Sequence, residues 1–269
     1  MSIRNSLHLT QYLGSAAAVA ILAIGLGGCQ TMRSPEVTGS INARAEVTPG
    51  SLPRTEIDAL GERYRANTRN ADAAVQYGQA LRLNGQRSQA VAVLEQATMA
   101  NPGNKPLLAA YGRALVDNGN FQLGFDVLTR AHSPANPDWR ILSVQGTALD
   151  QLGKHDEARR YYASALKISP EEPSVLSNLG LSYVLSKDLP RAESVLRRAY
   201  GRGTSDSRVR QNLALVVGLQ GRFSEAESIA KADLPPDQAE ANVAYLKQML
   251  SRDGSRGQQT TSAAGISRS

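Results

Sequence analysis

Few side chains in this chain of 269 residues could carry reactive chemistry, and their scarcity narrows its functions. Its one cysteine, Cys29, sits in the stretch "LGGCQ". A thiol can attack, bind metal, pair in a disulfide or be acylated, and a lone thiol has no partner within its own chain. Two histidines, His132 and His155, lie beyond the amino-terminal apolar run. Neither has a serine and a carboxylate at motif spacing, and the sequence contains no HExxH zinc pair and no GxxxxGK[ST] phosphate loop. The adjacent Glu171 and Glu172 suit the start of a helix better than acid–base work. The reading is therefore of a non-enzyme that needs no cofactor and no metal.

The surroundings of Cys29 give it a different task. Arg4 supplies positive charge, Ala16 to Leu26 is apolar, and Gly27 and Gly28 are small, the layout of an export signal over residues 1–28. A helix from Ala16 to Gly28 would reach only about 20 Å, against about 30 Å of bilayer hydrocarbon, so cleavage is expected. Leu26-Gly27-Gly28-Cys29 resembles the lipobox of bacterial lipoproteins. That resemblance implies a cut before Cys29 and a mature cysteine carrying three acyl chains. At about 0.8 kcal/mol per buried methylene, three chains anchor a protein to a membrane where one chain is marginal. Gln30 follows where a retention aspartate would stand, which favours the outer membrane, with the protein facing the periplasm. The competing readings are an ordinary signal peptide with an incidental cysteine, or an uncleaved anchor.

Removal of Arg4 with the signal lowers the net charge from +6 to +5. A mildly basic exported protein suits anionic lipid or an acidic partner rather than nucleic acid. With no cysteine pairs, packing alone must stabilise the roughly 240 residues that remain, a length sufficient for a sizeable core.

The elements that position these residues follow from a repeat. Residues 29–54 are polar, with scattered proline and glycine, and read as a flexible linker carrying the lipidated Cys29; residues 251–269 read as a disordered tail. Between them, over 55–250, residue types return every 34 positions. Gly78, Gly112, Gly146, Gly180 and Ala214 share one small site, and Ala90, Gly124, Ala158, Ala192 and Ala226 another. Ala97, Ala131, Ala165 and Ala199 form a third, with Leu94, Leu128, Tyr162 and Leu196 three residues before. Small residues at matched sites let helices approach closely. Gly85, Gly119, Gly153 and Gly221 fall where a first helix must stop, with Lys187 in the fourth copy. Pro102, Pro137 and Pro170 end second helices.

This pattern resembles the tetratricopeptide repeat, whose period is 34. The implied fold is all-α: a tetratricopeptide-repeat superhelix of about five repeats, with a half repeat from Thr55 in front and a capping helix from Asp237 behind. Its concave side, lined by first helices, receives peptides or partner helices. With Trp139 as the first position of its copy, the inward candidates are Arg140, Ser177, Asn178, Leu181, Leu185, Arg208, Gln211, Asn212, Leu215 and Leu219. Asn178 and Asn212 recur where family members bond to a ligand's backbone, and the leucines would form an apolar strip. The competing reading packs those leucines under the capping helix. Relatives that grip chaperone tails use five fixed polar sites; here these hold Val75, Gln79, Ala110, Arg140 and Ile141, of which only Arg140 has a suitable charge. "RAESVLRRAYGRGTSDSRVR" adds a basic face, Arg191, Arg197, Arg198 and Arg202, read either as a solvated surface or as a docking site for an anionic partner or lipid head groups.

Over most of residues 80–250, segments such as "PDWRILSVQGTALDQLGKHDEAR" and "PEEPSVLSNLGLSYVLSKDLPRAE" resemble the TadD family, tetratricopeptide lipoproteins of tight-adherence (Flp) pilus assembly. The resemblance implies an outer-membrane, non-catalytic scaffold whose partners are pilus assembly proteins, foremost the secretin channel. A periplasmic adaptor bringing an envelope hydrolase or protease to its substrate is the alternative.

Overall fold

The 34-residue period becomes five helix pairs. A computed structural model describes residues 52–201 and 206–266, the last part from 253 as backbone alone. α1 (Arg54–Ala66) precedes the pairs α2 (Ala71–Leu83) with α3 (Arg87–Ala100), α4 (Lys105–Asp117) with α5 (Phe121–Ala131), and α6 (Trp139–Gln151) with α7 (His155–Ile168). The fourth pair is α8 (Pro173–Leu185) with α9 (Leu189–Tyr200), the fifth α10 (Ser207–Leu219) with α11 (Phe223–Ala230), and α12 (Pro236–Ile266) closes the array. The expected tetratricopeptide-repeat superhelix is the observed architecture. Cys29 and Arg202 lie outside the described residues.

The small sites do the packing work expected of them, with one refinement. A Cβ added to Gly78, Gly112, Gly146 or Gly180 would come within 2.7, 2.5, 2.6 or 2.6 Å of Leu94, Leu128, Tyr162 or Leu196. Each glycine is therefore the socket for the large residue of its own second helix. The fifth pair puts alanine at both places: Ala214 and Ala230 pack together with Ala239 of α12. Leu246 of α12 seats on Gly218, where a Cβ would meet it at 2.5 Å.

Each first helix stops the same way. Gly85, Gly119, Gly153 and Gly221 have φ between 73° and 90°, a left-handed conformation that costs glycine nothing. Lys187 takes that place in the fourth copy at φ 62°, so the turn survives there with strain. The starts are periodic too. Asn70, Asn104, Asp138 and Asp206, at 34-residue intervals, accept a hydrogen bond from the first turn of α2, α4, α6 and α10. Glu172 holds that position before α8 without a side-chain cap bond.

Both ends differ from the sequence reading. Leu52, expected in the flexible linker, is half-buried against the core, and Asn84 grips its backbone: Leu52 N–H donates to Asn84 Oδ1 at 3.0 Å, and Asn84 Nδ2 donates to Leu52 O at 3.3 Å. At the other end α12 continues to Ile266, through residues 251–266 that read as tail. No proline interrupts those residues. Adding a residue to an existing helix is far cheaper than starting one.

Candidate functional site

Successive first helices touch one another, α2 with α4, α4 with α6, α6 with α8 and α8 with α10, and so form a continuous inner wall. The structure brings the predicted groove residues of α8 and α10 onto this wall. Leu181, Leu185, Leu215 and Leu219 are half-buried. The buried residues that α12 joins are others: Leu213, Val216, Val217 and Ala226 beside Val243, and Ala214 and Ala230 beside Ala239.

The asparagines are partly engaged. Asn178 Nδ2 donates to Ser143 Oγ at 3.1 Å, and Asn212 Nδ2 donates to Ser177 Oγ at 2.8 Å. Each carboxamide stitches its repeat to the serine 35 residues earlier, so one N–H is unavailable to a ligand. Ser177 is itself buried, at 5% exposure, and acts as an acceptor in this ladder. Gln211 is exposed. Arg208 forks onto Asp206, Nε to Oδ1 at 3.2 Å and Nη2 to Oδ2 at 2.8 Å, which raises the guanidinium pKa and lowers that of the carboxyl. Arg140 is exposed and stacks over Trp139, 4.4 Å from the ring centroid.

The basic face is largely compensated. Arg197 contacts Glu193 at 2.7 Å and Glu225 at 2.5 Å, and Arg198 pairs with Glu171. Arg191 reaches Asp188 at 3.3 Å and lies over Tyr183. Arg222 pairs with both Glu193 and Glu225, and its hydrogen bond is the main reason that the Glu193 carboxyl falls to a pKa of about 2. Within the linear stretch only Glu193 and Asp206 oppose the arginines. Glu171 and Glu225 arrive from neighbouring repeats.

His132 and His155 each meet a neighbouring side chain through one ring nitrogen. His155 Nδ1 meets Asp150 Oδ1 at 2.9 Å, and the same buried carboxylate accepts from Tyr162 Oη at 2.9 Å and from Ser182 Oγ at 2.8 Å. Burial, then Asp150, drives the Tyr162 hydroxyl pKa well up. Serine here donates to the aspartate rather than to histidine, so nothing activates it as a nucleophile. The cluster joins α6, α7 and α8. It was missed in the sequence, although Asp150 occupies an inward site where the neighbouring copies have Val116 and Val184. His132 Nε2 lies 3.1 Å from Gln145 Oε1 at the edge of a cleft of about 490 Å³ between α5 and α7. No group of three metal-ligating side chains and no membrane-spanning helix occurs among the described residues.

Residues 71–104 and 144–207 each match the tetratricopeptide repeat family. The chain is 26% identical over 154 residues to the BBSome complex member BBS4 of Bos taurus, aligning with 56% of this chain and 29% of that protein. It thus spans under a third of that relative's length. Among solved structures, PilW, a type IV pilus biogenesis factor, superposes with TM-score 0.61 at 16% identity, over 71% of this chain and 90% of PilW. A thermophilic tetratricopeptide protein of Thermus thermophilus gives 0.58 at 20% identity, over 66% and 99% of the two chains. Pseudomonas aeruginosa PilF gives 0.53 at 19% identity, over 72% and 91%. At these identities the likeness is one of fold. Fold and repeat matches together define a tetratricopeptide-repeat scaffold for protein–protein interaction, and neither matched segment indicates a catalytic family.

Proposed function

We propose that this chain is a lipid-anchored scaffold of the outer membrane that holds a segment of a pilus assembly protein, the secretin foremost, on its inner wall. The observation that carries the binding role is the strip of Leu181, Leu185, Leu215 and Leu219, half-buried on adjacent first helices beside Asn178 and Asn212. An amphipathic segment laid there would cover the leucines while the carboxamides' remaining groups met its backbone. The pilus reading rests on the TadD-like segments, and PilW and PilF share the fold. The anchor reading rests on the lipobox-like residues around Cys29. Tethering raises effective concentration at the membrane, so modest affinity suffices.

Leu181→Asp combined with Leu215→Asp should abolish secretin capture in pulldown while helical circular dichroism is kept. Unchanged capture rejects the groove, and recovery of an envelope hydrolase in place of pilus proteins rejects the pilus role. Cys29→Ala should release the protein from the membrane fraction and impair piliation; normal piliation by soluble, unlipidated protein removes the anchor.

A further inference from the structure

The middle of the inner wall carries a second feature, distinct from the leucine strip. Three arginines stand on consecutive first helices: Arg82 on α2, Arg113 on α4 and Arg140 on α6. Arg82 is engaged, its Nε and Nη2 lying 2.7 and 2.6 Å from Asp117 Oδ2. Among the described residues Arg113 has no ion pair, and its Nε is buried without a hydrogen-bond partner. Arg140 has no ion pair there either; it is held over the face of Trp139. The nearby carboxylates already have other tasks. Asp117 takes Arg82, and Asp138 Oδ1 caps α6 by accepting from Arg140 N–H at 2.8 Å.

This arrangement is unfavourable for the isolated protein. A buried donor without an acceptor has given up its bonds to water and gained none in return. Burial, and after it the like charge of Arg82, lowers the Arg113 pKa, with Arg140 adding to this and Asp138 and Asp117 opposing it. On the basic face, by contrast, Arg197 and Arg198 each meet a glutamate from another repeat. Arg113 and Arg140 lack such partners, and they stand on the surface that partners are expected to occupy.

We infer that Arg113 and Arg140 form a carboxylate-binding site that takes acidic side chains of an extended segment of the partner polypeptide. Charge complementarity is the first reason. The second is shape, because a guanidinium presents a planar fork of N–H groups matched to the two oxygens of a carboxylate. The preferred segment therefore carries Asp or Glu side chains along its length. The inference rests on the inner wall being the partner groove, and it extends that groove from α8 and α10 back to α4 and α6.

The test uses the mature chain and two fluorescein-labelled peptides with blocked termini, one with glutamate at every third position in a serine host, the other with glutamine there. Blocked ends exclude recognition of a free carboxyl terminus. Fluorescence polarisation should give at least tenfold tighter binding of the glutamate peptide, and Arg113→Met with Arg140→Gln should remove that preference. A control with equal charge loss on second helices, Arg130→Gln with Arg160→Gln, should change it less than twofold. Arg113→Met alone should melt at the same temperature as the parent or higher, because an orphaned donor is gone; a merely structural arginine would lower it. If the double variant unfolds, Arg140→Gln alone decides, with a loss of at least threefold expected. Equal binding of both peptides by the parent, equal losses in the control, or binding only to phosphatidylglycerol vesicles would each overturn the site. Loss of secretin capture in the Leu181→Asp, Leu215→Asp protein but not in the arginine variant would reject this inference and leave the groove standing. No loss in either would reject both.

Discussion

Two junctions between neighbouring repeats are built from the same unit in opposite ways. The third and fourth copies are joined through a buried centre, Asp150, which gathers Tyr162, His155 and Ser182 from α7 and α8. Between the fourth and fifth the apolar contacts are overlaid by an ion-pair lattice at the rim, where Glu193 and Glu225 alternate with Arg197 and Arg222. Both junctions also have a serine–asparagine bond on the inner wall. A buried polar network is strong when complete and costly when one member is lost. An exposed lattice is individually weak, screened by salt and tolerant of loss. Polar coupling is therefore buried at the centre of the array and lies at the rim towards its carboxyl end, where the leucine strip is.

The largest expected effect breaks the buried junction. Asp150→Ala leaves the Tyr162 and Ser182 hydroxyls without their acceptor, which should cost about 3 kcal/mol and lower Tm by about 6–12 °C. Hydrogen exchange should quicken first across α6 to α8, since repeats are coupled to their nearest neighbours. Uniform exchange throughout would show that the junction is not the weak link.

The surface junction should respond less, and through pH. The Glu193 carboxyl has its pKa depressed to about 2 in the folded protein, against an unfolded value of about 4.3. Its stabilisation is therefore fully present above the unfolded value and is lost as pH falls towards about 2. Glu193→Gln should cost at most about 1 kcal/mol at neutral pH and flatten the acid limb of the stability profile over that window. In high salt the parent should approach the variant. An unchanged acid limb would mean that Glu193 contributes nothing to it.

The smallest effect lies in the copy that both junctions share. Lys187→Gly removes a side chain from a left-handed turn and should raise stability by about 0.5–1 kcal/mol in chemical denaturation. A loss would mean that the lysine makes a compensating contact.

Fold was legible and bonding was not, for a physical reason. A repeat writes its close contacts into one column of small residues, so Gly112 and Gly146 disclose their sockets by residue type and spacing alone. Hydrogen bonds and ion pairs join residues of different columns. Asn178 and Asn212 were found as inward positions, but their serine acceptors lie one repeat back and one position over. In a linear window Arg198 looks unopposed and Arg197 has only Glu193, because the window omits Glu171 and Glu225. Asp233 stands where the earlier copies have Ala97, Ala131, Ala165 and Ala199. It forms a pair with Arg210, at 2.7 Å from Nε, so charge replaces a small-residue contact there. The buried Asp150 cluster could have been suspected from a carboxylate standing between Val116 and Val184 in its column. The orphaned Nε of Arg113 depends on side-chain packing that no column records.

The grip of Asn84 on Leu52 has a mechanical consequence. A pull arriving along the chain from the amino-terminal side meets the array at Leu52, where two hydrogen bonds and a docked leucine join that segment to the first repeat's turn. Leu52 is thus a strain relief. Load enters at the turn of the first repeat, and α1 need not peel away to bear it.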